Sequence, residues 1–494
     1  MRCLKRVAML VVVVAAGCAT IRPDATPVDL AIDNVTVIEP GSGRVLPEHS
    51  VYISGERIVA VLPARRGAAY AAAHVVDGTG KFLIPGLIDM HVHLFLPEPA
   101  PLGMNALLAN GVTGIREMSS DCWAAAGAKK GCVAEYRALQ TKVRSGEVPG
   151  PDLLALTSTM VMGPTRLKLP PTAPAFITPV TAEQGRELVR HLAERGTELI
   201  KTHDSIPAPA FAAMMGEANK LGTALGGHVP FAAGALGAAK LGYRSIEHAR
   251  DLLYDCSRYG PDFRREEAAF AAGTPNSVRP QSLERLQRTV AQFDQILCAE
   301  MLRQLASTGV YYTPTHVTRE MEARAGDAAY RADPARRYVA RDRNKRWEAD
   351  LQETAALPSA ERGALRAFFE HGLRITGLAH GAGIPIMAGT DANDTMIVPG
   401  FSLHLELELL GRAGLSNLEV LRAATVVPAR YLRRSDLGGI AAGKRADLVL
   451  LRADPLADVR NTRAIEAVLA RGRLRTRQDL DALLAEAERI AARP

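Results

Sequence analysis

Apolar and polar residues are arranged in two ways along the chain. From Val28 to His74 apolar side chains recur at about every second position in short runs, VDLAIDNVTVI and SVYISGERIVAVL, separated by turns at Gly41-Ser42-Gly43 and Gly55-Glu56. That period is the mark of half-buried strands. A matching fragment lies near the other end, where LGGIAAGKRADLVLLRADPL is followed by AIEAVLARGR. Neither fragment has enough strands to bury a face alone, so both are expected in one composite β unit, a small β-sandwich built from residues 29–84 and 432–475. Between Pro85 and Tyr431 the pattern changes. Short apolar runs (FLIPGLID, GVTGIREM, DLLALTS, TELIKTH, GTALGGHVP, YRSIEHA, GVYYTPTH and GIPIMAGTD) each precede a polar or amphipathic stretch. Eight strand-helix units predict an α/β fold with a (β/α)8 TIM barrel over 85–431. The span exceeds the roughly 250 residues of a minimal barrel, which leaves room for helical insertions at 256–300 and 317–375. In the tail, 476–494, Leu480, Leu483, Leu484, Ala487 and Ile490 fall near one helical face, predicting a C-terminal helix packed on the body.

The first 17 residues belong to neither pattern. MRCLKRVAMLVVVVAAG has a basic start and an apolar run from Val7 to Ala16 that is too short to span a bilayer, the build of an export leader. It ends in Ala15-Ala16-Gly17-Cys18, which resembles a bacterial lipobox, with Cys18 as the lipidated residue. Ordinary cleavage, for example after Ala19, is the alternative. Residues 18–28 then form a tether, and the expected location is the periplasmic side of the cell envelope or the exterior. Membrane contact is expected only through the lipid anchor. Export alters the reading of the cysteines: Cys122, Cys132, Cys256 and Cys298 remain in an oxidising compartment. Local pairing, Cys122 with Cys132 and Cys256 with Cys298, would tie down two insertions; free buried thiols are the alternative.

Composition narrows the function classes. Of the 494 residues 47% are hydrophobic and 23% charged, which suits a globular chain and excludes a disordered or polytopic membrane protein. The formal charge is +7, but Arg2, Lys5 and Arg6 of the leader supply three of those charges. No basic stripe interleaved with aromatics occurs, so nucleic acid is not an expected partner.

The candidate chemistry sits where the apolar runs of the middle region end. Pro85-Gly86-Leu87-Ile88-Asp89-Met90-His91-Val92-His93 closes on His-x-His, and residues i and i+2 of a strand point to one face, so both imidazoles can reach one ion. Alone that motif is weak. It gains weight from three further runs that end in a ligand-capable group: Gly227-His228, Ile246-Glu247-His248 and Gly389-Thr390-Asp391. Groups at the carboxyl ends of different barrel strands converge on one mouth. Lys201, in Glu198-Leu199-Ile200-Lys201-Thr202-His203, is an odd neighbour for a dication unless CO2 converts its amine to a carbamate. His203, on the same strand face, is the competing ligand.

With these motifs in order the chain resembles the amidohydrolase superfamily of metal-dependent hydrolases, in particular its imidazolonepropionase-like and prolidase-like branch. The resemblance covers the two-part β unit, PGLIDMHVH, GVTGIREM, TELIKTH, GGHVP, SIEHA, GIPIMAGTDA and the closing LRAATVVPARYL and GGIAAGKRADLVLL. It implies two divalent ions, zinc by default. His91 and His93 would bind the more buried ion, carboxylated Lys201 would bridge, and His228 and His248 would bind the second. Asp391 would be both a ligand and the catalytic proton carrier for a metal-activated hydroxide. The implied reaction is hydrolysis of an amide-type C–N bond in a small substrate, a dipeptide or N-acyl amino acid, with a cyclic amide or imidazolone as the alternative. A non-catalytic envelope lipoprotein that uses the barrel as a binding scaffold is the competing class.

Three further residues are candidates for substrate binding. Arg116 offers a fork for a substrate carboxylate, against a structural ion pair with Glu117 or a neighbouring strand. Tyr254 and His316 are placed to line a pocket, against plain packing.

Overall fold

The computed structural model describes residues 25–64, 69–94, 100–120, 133–163, 177–271 and 282–493. The leader, Cys18, and the Cys122–Cys132 pair lie outside these. The described strands are β1 (Thr26–Glu39), β2 (Arg44–Ser54), β3 (Arg57–Pro63), β4 (Tyr70–Asp77), β5 (Phe82–Pro85), β6 (Leu87–Val92), β7 (Val112–Glu117), β8 (Asp152–Leu156), β9 (Leu199–Thr202), β10 (Ala224–Gly227), β11 (Ser245–Glu247), β12 (Tyr311–Thr313), β13 (Leu448–Leu451), β14 (Ile465–Ala470) and β15 (Arg473–Thr476).

Strands from both ends of the chain share one eight-stranded sheet in the order β15-β14-β13-β5-β1-β2-β3, with β4 also paired to β1. The long β1 changes partner along its length: its first half runs parallel to β4, and Thr36 and Val37 pair with Phe82 and Leu83 of β5. The join between the ends is β5 against β13, with Leu83 opposite Leu450. Alternate positions of these strands (Ile32, Val35, Val37, Val51, Leu83, Leu450) supply the apolar core of the sheet.

The middle region is built differently. β6, β7 and β8 form one parallel sheet and β9, β10, β11 and β12 another. All residues of β6, β7 and β9 are buried, as parallel strands covered on both faces require. Parallel bridges extend the pairing beyond each sheet: Thr157 with Leu199, Tyr312 with Ile386, and Val92 with Ala392. Segment 386–392 thereby lies between β12 and β6, and Met90 N–H donates to Ala388 O at 3.0 Å. Helices fill the crossovers, and the longest connections, after β11 and β12, are helical in their described parts. The first of these is closed by a disulfide between Cys256 and Cys298, 42 residues apart. The terminal helix Arg477–Ala491 starts at a capping box between Thr476 and Asp479. It buries Ala487 and Ile490 against Leu102, Trp347 and Leu351.

Candidate metal centre

The carboxyl ends of β6, β9, β11 and segment 386–392 meet at one point. Lys201 Nζ lies 2.9 Å from His91 Nε2 and 3.2 Å from His93 Nε2. Asp391 Oδ1 lies 3.3 Å from His91 Nε2 and 3.0 Å from His93 Nε2, and its Oδ2 is 3.8 Å from His248 Nδ1. All five groups are buried or nearly so. Backbone bonds hold the arrangement: Asp391 N–H donates to His91 O at 2.8 Å and His248 N–H to Thr313 O at 2.8 Å. His248, Thr315 and Asp391 adopt left-handed conformations (φ 70°, 46° and 66°), which disfavour side chains with a Cβ and so mark positions fixed by their surroundings. Close approach demands a glycine at 389. A Cβ there would stand 2.5 Å from Thr313 Cγ2 and 3.0 Å from His91 N.

One polar layer below, the ligand-capable groups are oriented by Glu247, Asp89 and Glu117, whose roles sequence reading did not single out, and by Arg116. His91 donates from Nδ1 to Glu247 Oε2 at 3.0 Å, which leaves the lone pair on Nε2, facing Lys201 and Asp391. Glu247 is in turn fixed by Arg116 Nη2 at 2.6 Å and Ser245 Oγ at 2.6 Å. Asp89 accepts the N–H groups of His91 and Thr390 at 3.1 Å and the Thr390 hydroxyl at 2.7 Å, tying β6 to segment 386–392. Glu117 accepts from Leu94 N and Ser119 N. A charged residue inside an otherwise apolar run, as in Ser245-Ile246-Glu247-His248, was the available signal. Its partner Arg116 lies 131 residues away.

Electrostatics follow burial. Burial pushes His248 well below the ordinary imidazole range, against the pull of Asp391. Burial, reinforced by Lys201, lowers His93 to about 3. Burial also lowers Lys201, opposed by Asp391 and Glu247. For Asp391 burial favours the neutral acid, but His91, the hydrogen bond from His93 and His248 outweigh it and hold the carboxyl well below the usual carboxylate range. Neutral imidazoles beside an ionised carboxylate form the donor set of a divalent cation such as zinc. His248 Nε2, buried and without a hydrogen-bond partner, fits the same ligand.

The other predicted residues are placed as follows. His228 belongs to a neighbouring group with His203 and Asp204 rather than to the trio of His91, His248 and Asp391. His203 stacks on His228 with ring centroids 4.2 Å apart and bonds Asp204 through Nδ1 at 2.6 Å. Of the two readings of Arg116 the structure favours the structural ion pair: it is buried, bonded to Glu247, Ser245 and Met90 O, and lies over the Tyr431 ring. Tyr254 stacks on Phe263 at 4.0 Å and borders a cavity of about 10 Å³, too small for a substrate. His316 is buried and bonds the Thr376 hydroxyl at 2.9 Å, a packing role within the helices after β12. The larger cavity nearby, about 360 Å³, is bounded by Asp204, Ile206, Pro207, Ala232 and Arg264 instead.

A family model for the amidohydrolase family matches residues 82–475. The chain belongs to the amidohydrolase family. The family comprises metal-dependent hydrolases of C–N bonds that act on small molecules. Among curated proteins the chain is 44% identical over 90 residues to an adenine deaminase of Chelativorans sp. (strain BNC1), which covers 18% of this chain and 14% of that protein. It is 36% identical over 96 residues to a dihydroorotase of Anaplasma phagocytophilum (strain HZ), 17% of this chain and 21% of that one. The chain thus spans about a seventh to a fifth of the length of these relatives. Solved structures share the fold over nearly the whole chain. Bottromycin amidohydrolase superposes with a TM-score of 0.67 at 22% identity over 94% of this chain and 90% of its own. A putative prolidase from Bifidobacterium longum gives 0.61 at 23% identity over 93% and 98%.

Proposed function

We propose that this amidohydrolase-family member is exported and hydrolyses the amide-type C–N bond of a small substrate, a dipeptide or N-acyl amino acid. The observation that carries this reading is the convergence, at the carboxyl ends of parallel strands, of His91 and His93, each with its Nε2 within 3.3 Å of both Lys201 Nζ and Asp391 Oδ1, with His248 beside them. In this reading the two parallel sheets and their bridges close a (β/α)8 barrel over 85–431, and the terminal sheet folds as a sandwich from 29–84 and 432–475. His91, His93, Asp391 and a carboxylated Lys201 hold the more buried ion, and His228 and His248 the second. Divalent ions supply Lewis acidity, polarising a carbonyl and making a water more acidic. The protein's own residues do the rest. Asp391, ionised and aimed at the same point as the imidazoles, accepts a proton at a carboxylate oxygen and returns it to the leaving nitrogen. Glu247 and Arg116 keep the His91 ring in register, and Asp89 keeps Thr390 and the adjoining Asp391 against β6. Leader 1–17 and Cys18 give the location, an anchored protein on the periplasmic side of the envelope.

The test is a panel of dipeptides, N-acyl amino acids and cyclic amides assayed with and without a chelator. Turnover of the first two classes, lost on chelation and restored by zinc, is expected. Protein that contains no metal, turns over nothing and shows no change in melting on adding zinc would point to the binding scaffold instead.

A further inference from the structure

The second ion position is not equivalent to the first, and the reason is Arg250. This residue, two positions after His248, is buried at the start of the helix Ala249–Asp255. Its Nη2 reaches His228 Nδ1 at hydrogen-bond contact and lies 3.3 Å from Asp204 Oδ2, while its Nε is 3.3 Å from Asp251 Oδ1. A guanidinium only donates, and it does not lose its charge in proteins. The nitrogen facing it must therefore accept, so His228 carries its single proton on Nε2. A ligand to a cation needs a free lone pair, and in this arrangement His228 has none: Nδ1 is spent on Arg250 and Nε2 is protonated. The contrast with His91 is chemical, since that ring donates from Nδ1 to a carboxylate and keeps Nε2 open. His248 goes with His91, its buried Nε2 unpartnered. The Asp204 carboxylate pairs with Arg250 where it stands and opposes its departure, with Asp251 close by.

We propose that Arg250 sets the metal stoichiometry of the centre. One divalent ion binds tightly among His91, His93, Lys201 and Asp391, with His248 left open toward the second position. A second binds at His228 only when the guanidinium gives up that ring, so its hold is weaker. The proposal rests on the metal-dependent reading above and assigns Arg250 a positioning role through His228.

The test uses the full mature chain, stripped by chelator, titrated with Zn²⁺ by calorimetry and checked by elemental analysis after dialysis. Wild type should retain one equivalent, with the second at least about 10-fold weaker. Arg250→Gln ends near the position of Nε, beside Asp251, and its amide can accept as well as donate. It should tighten the second equivalent by about 10–100-fold, the range found when groups behind a metal ligand are changed. Arg250→Lys, still only a donor, should behave as wild type and guards against misfolding of the neutral variant. Two equal equivalents in wild type, one weak second equivalent in Arg250→Gln, or a second equivalent tightened in Arg250→Lys would each overturn the role of Arg250. Failure of every variant to bind Zn²⁺ would overturn the metal-dependent reading itself and the stoichiometry with it.

Discussion

Two histidine neighbourhoods lie side by side at the strand ends, and they differ in what faces the second ring nitrogen. At His91 that partner is Glu247, an acceptor, and the other nitrogen is left as a lone pair toward the centre. At His228 the partner is Arg250, a donor, and the lone pair is consumed inside the protein. The residue type and the strand-end position are the same in both cases. The buried charge behind the ring decides whether it can serve as a ligand.

The comparison can be broken or sharpened in three ways, and a fourth prediction stands beside them. The largest effect is expected for Asp391→Asn, which removes the proton acceptor proposed above: turnover in the chelator-sensitive assay should fall by about 10²–10⁴-fold. Near-normal activity would remove Asp391 from that role. Opening the disulfide acts on the other side, because Cys256 ends the helix that carries Arg250. For a loop of 42 residues the loss of Cys256–Cys298 in the double serine variant should cost up to about 4 kcal/mol, read by denaturant unfolding. Glu247→Gln keeps the volume but removes the charge that sets the His91 tautomer. Zn²⁺ affinity should drop about 10–100-fold while the fold is kept, and an unchanged affinity would mean that the ring needs no carboxylate behind it.

The smallest effect uses a buried carboxyl that belongs to neither neighbourhood. Glu406 accepts from Val317 N at 3.0 Å, and burial pushes its carboxyl up to about 8 despite backbone hydrogen bonds. Its folded pKa lies above the unfolded value near 4.3, so the folded state holds a proton that the unfolded state releases. Stability should therefore fall as pH rises between the two values, by about 1.4 kcal/mol per pH unit at most. Glu406→Gln should flatten that slope in unfolding curves taken at pH 5 and 8. An equal slope in both proteins would count against the buried acid.

Much of the arrangement was legible in the chain. The two-residue period exposed the terminal strands, and the apolar runs of the middle placed β6 to β12, because parallel strands buried on both faces are built mainly from apolar residues. Those ends showed His91, His93, Lys201, His248 and Asp391. The Cys256–Cys298 pairing was readable because both residues bracket one helical insertion. Glu247, Asp89 and Arg250 were not legible as determinants: each acts through a partner brought near by the fold, as when Arg116 meets Glu247 or Thr390 meets Asp89 across 301 residues. The fate of Arg116 turned on the same point, since a fork that meets a buried carboxylate inside the sheet is no longer offered to a substrate.

The pairing of β5 with β13 has a kinetic corollary. Phe82 and Leu451 come together across a separation of 369 residues, so this is among the costlier loop closures in the molecule. The edge of β5 stays bare until then, open to pairing with another chain. A product cut short before Leu448 would keep every candidate ligand and still lack the strand that covers that edge, so completion of the chain is itself a condition for a sealed sheet.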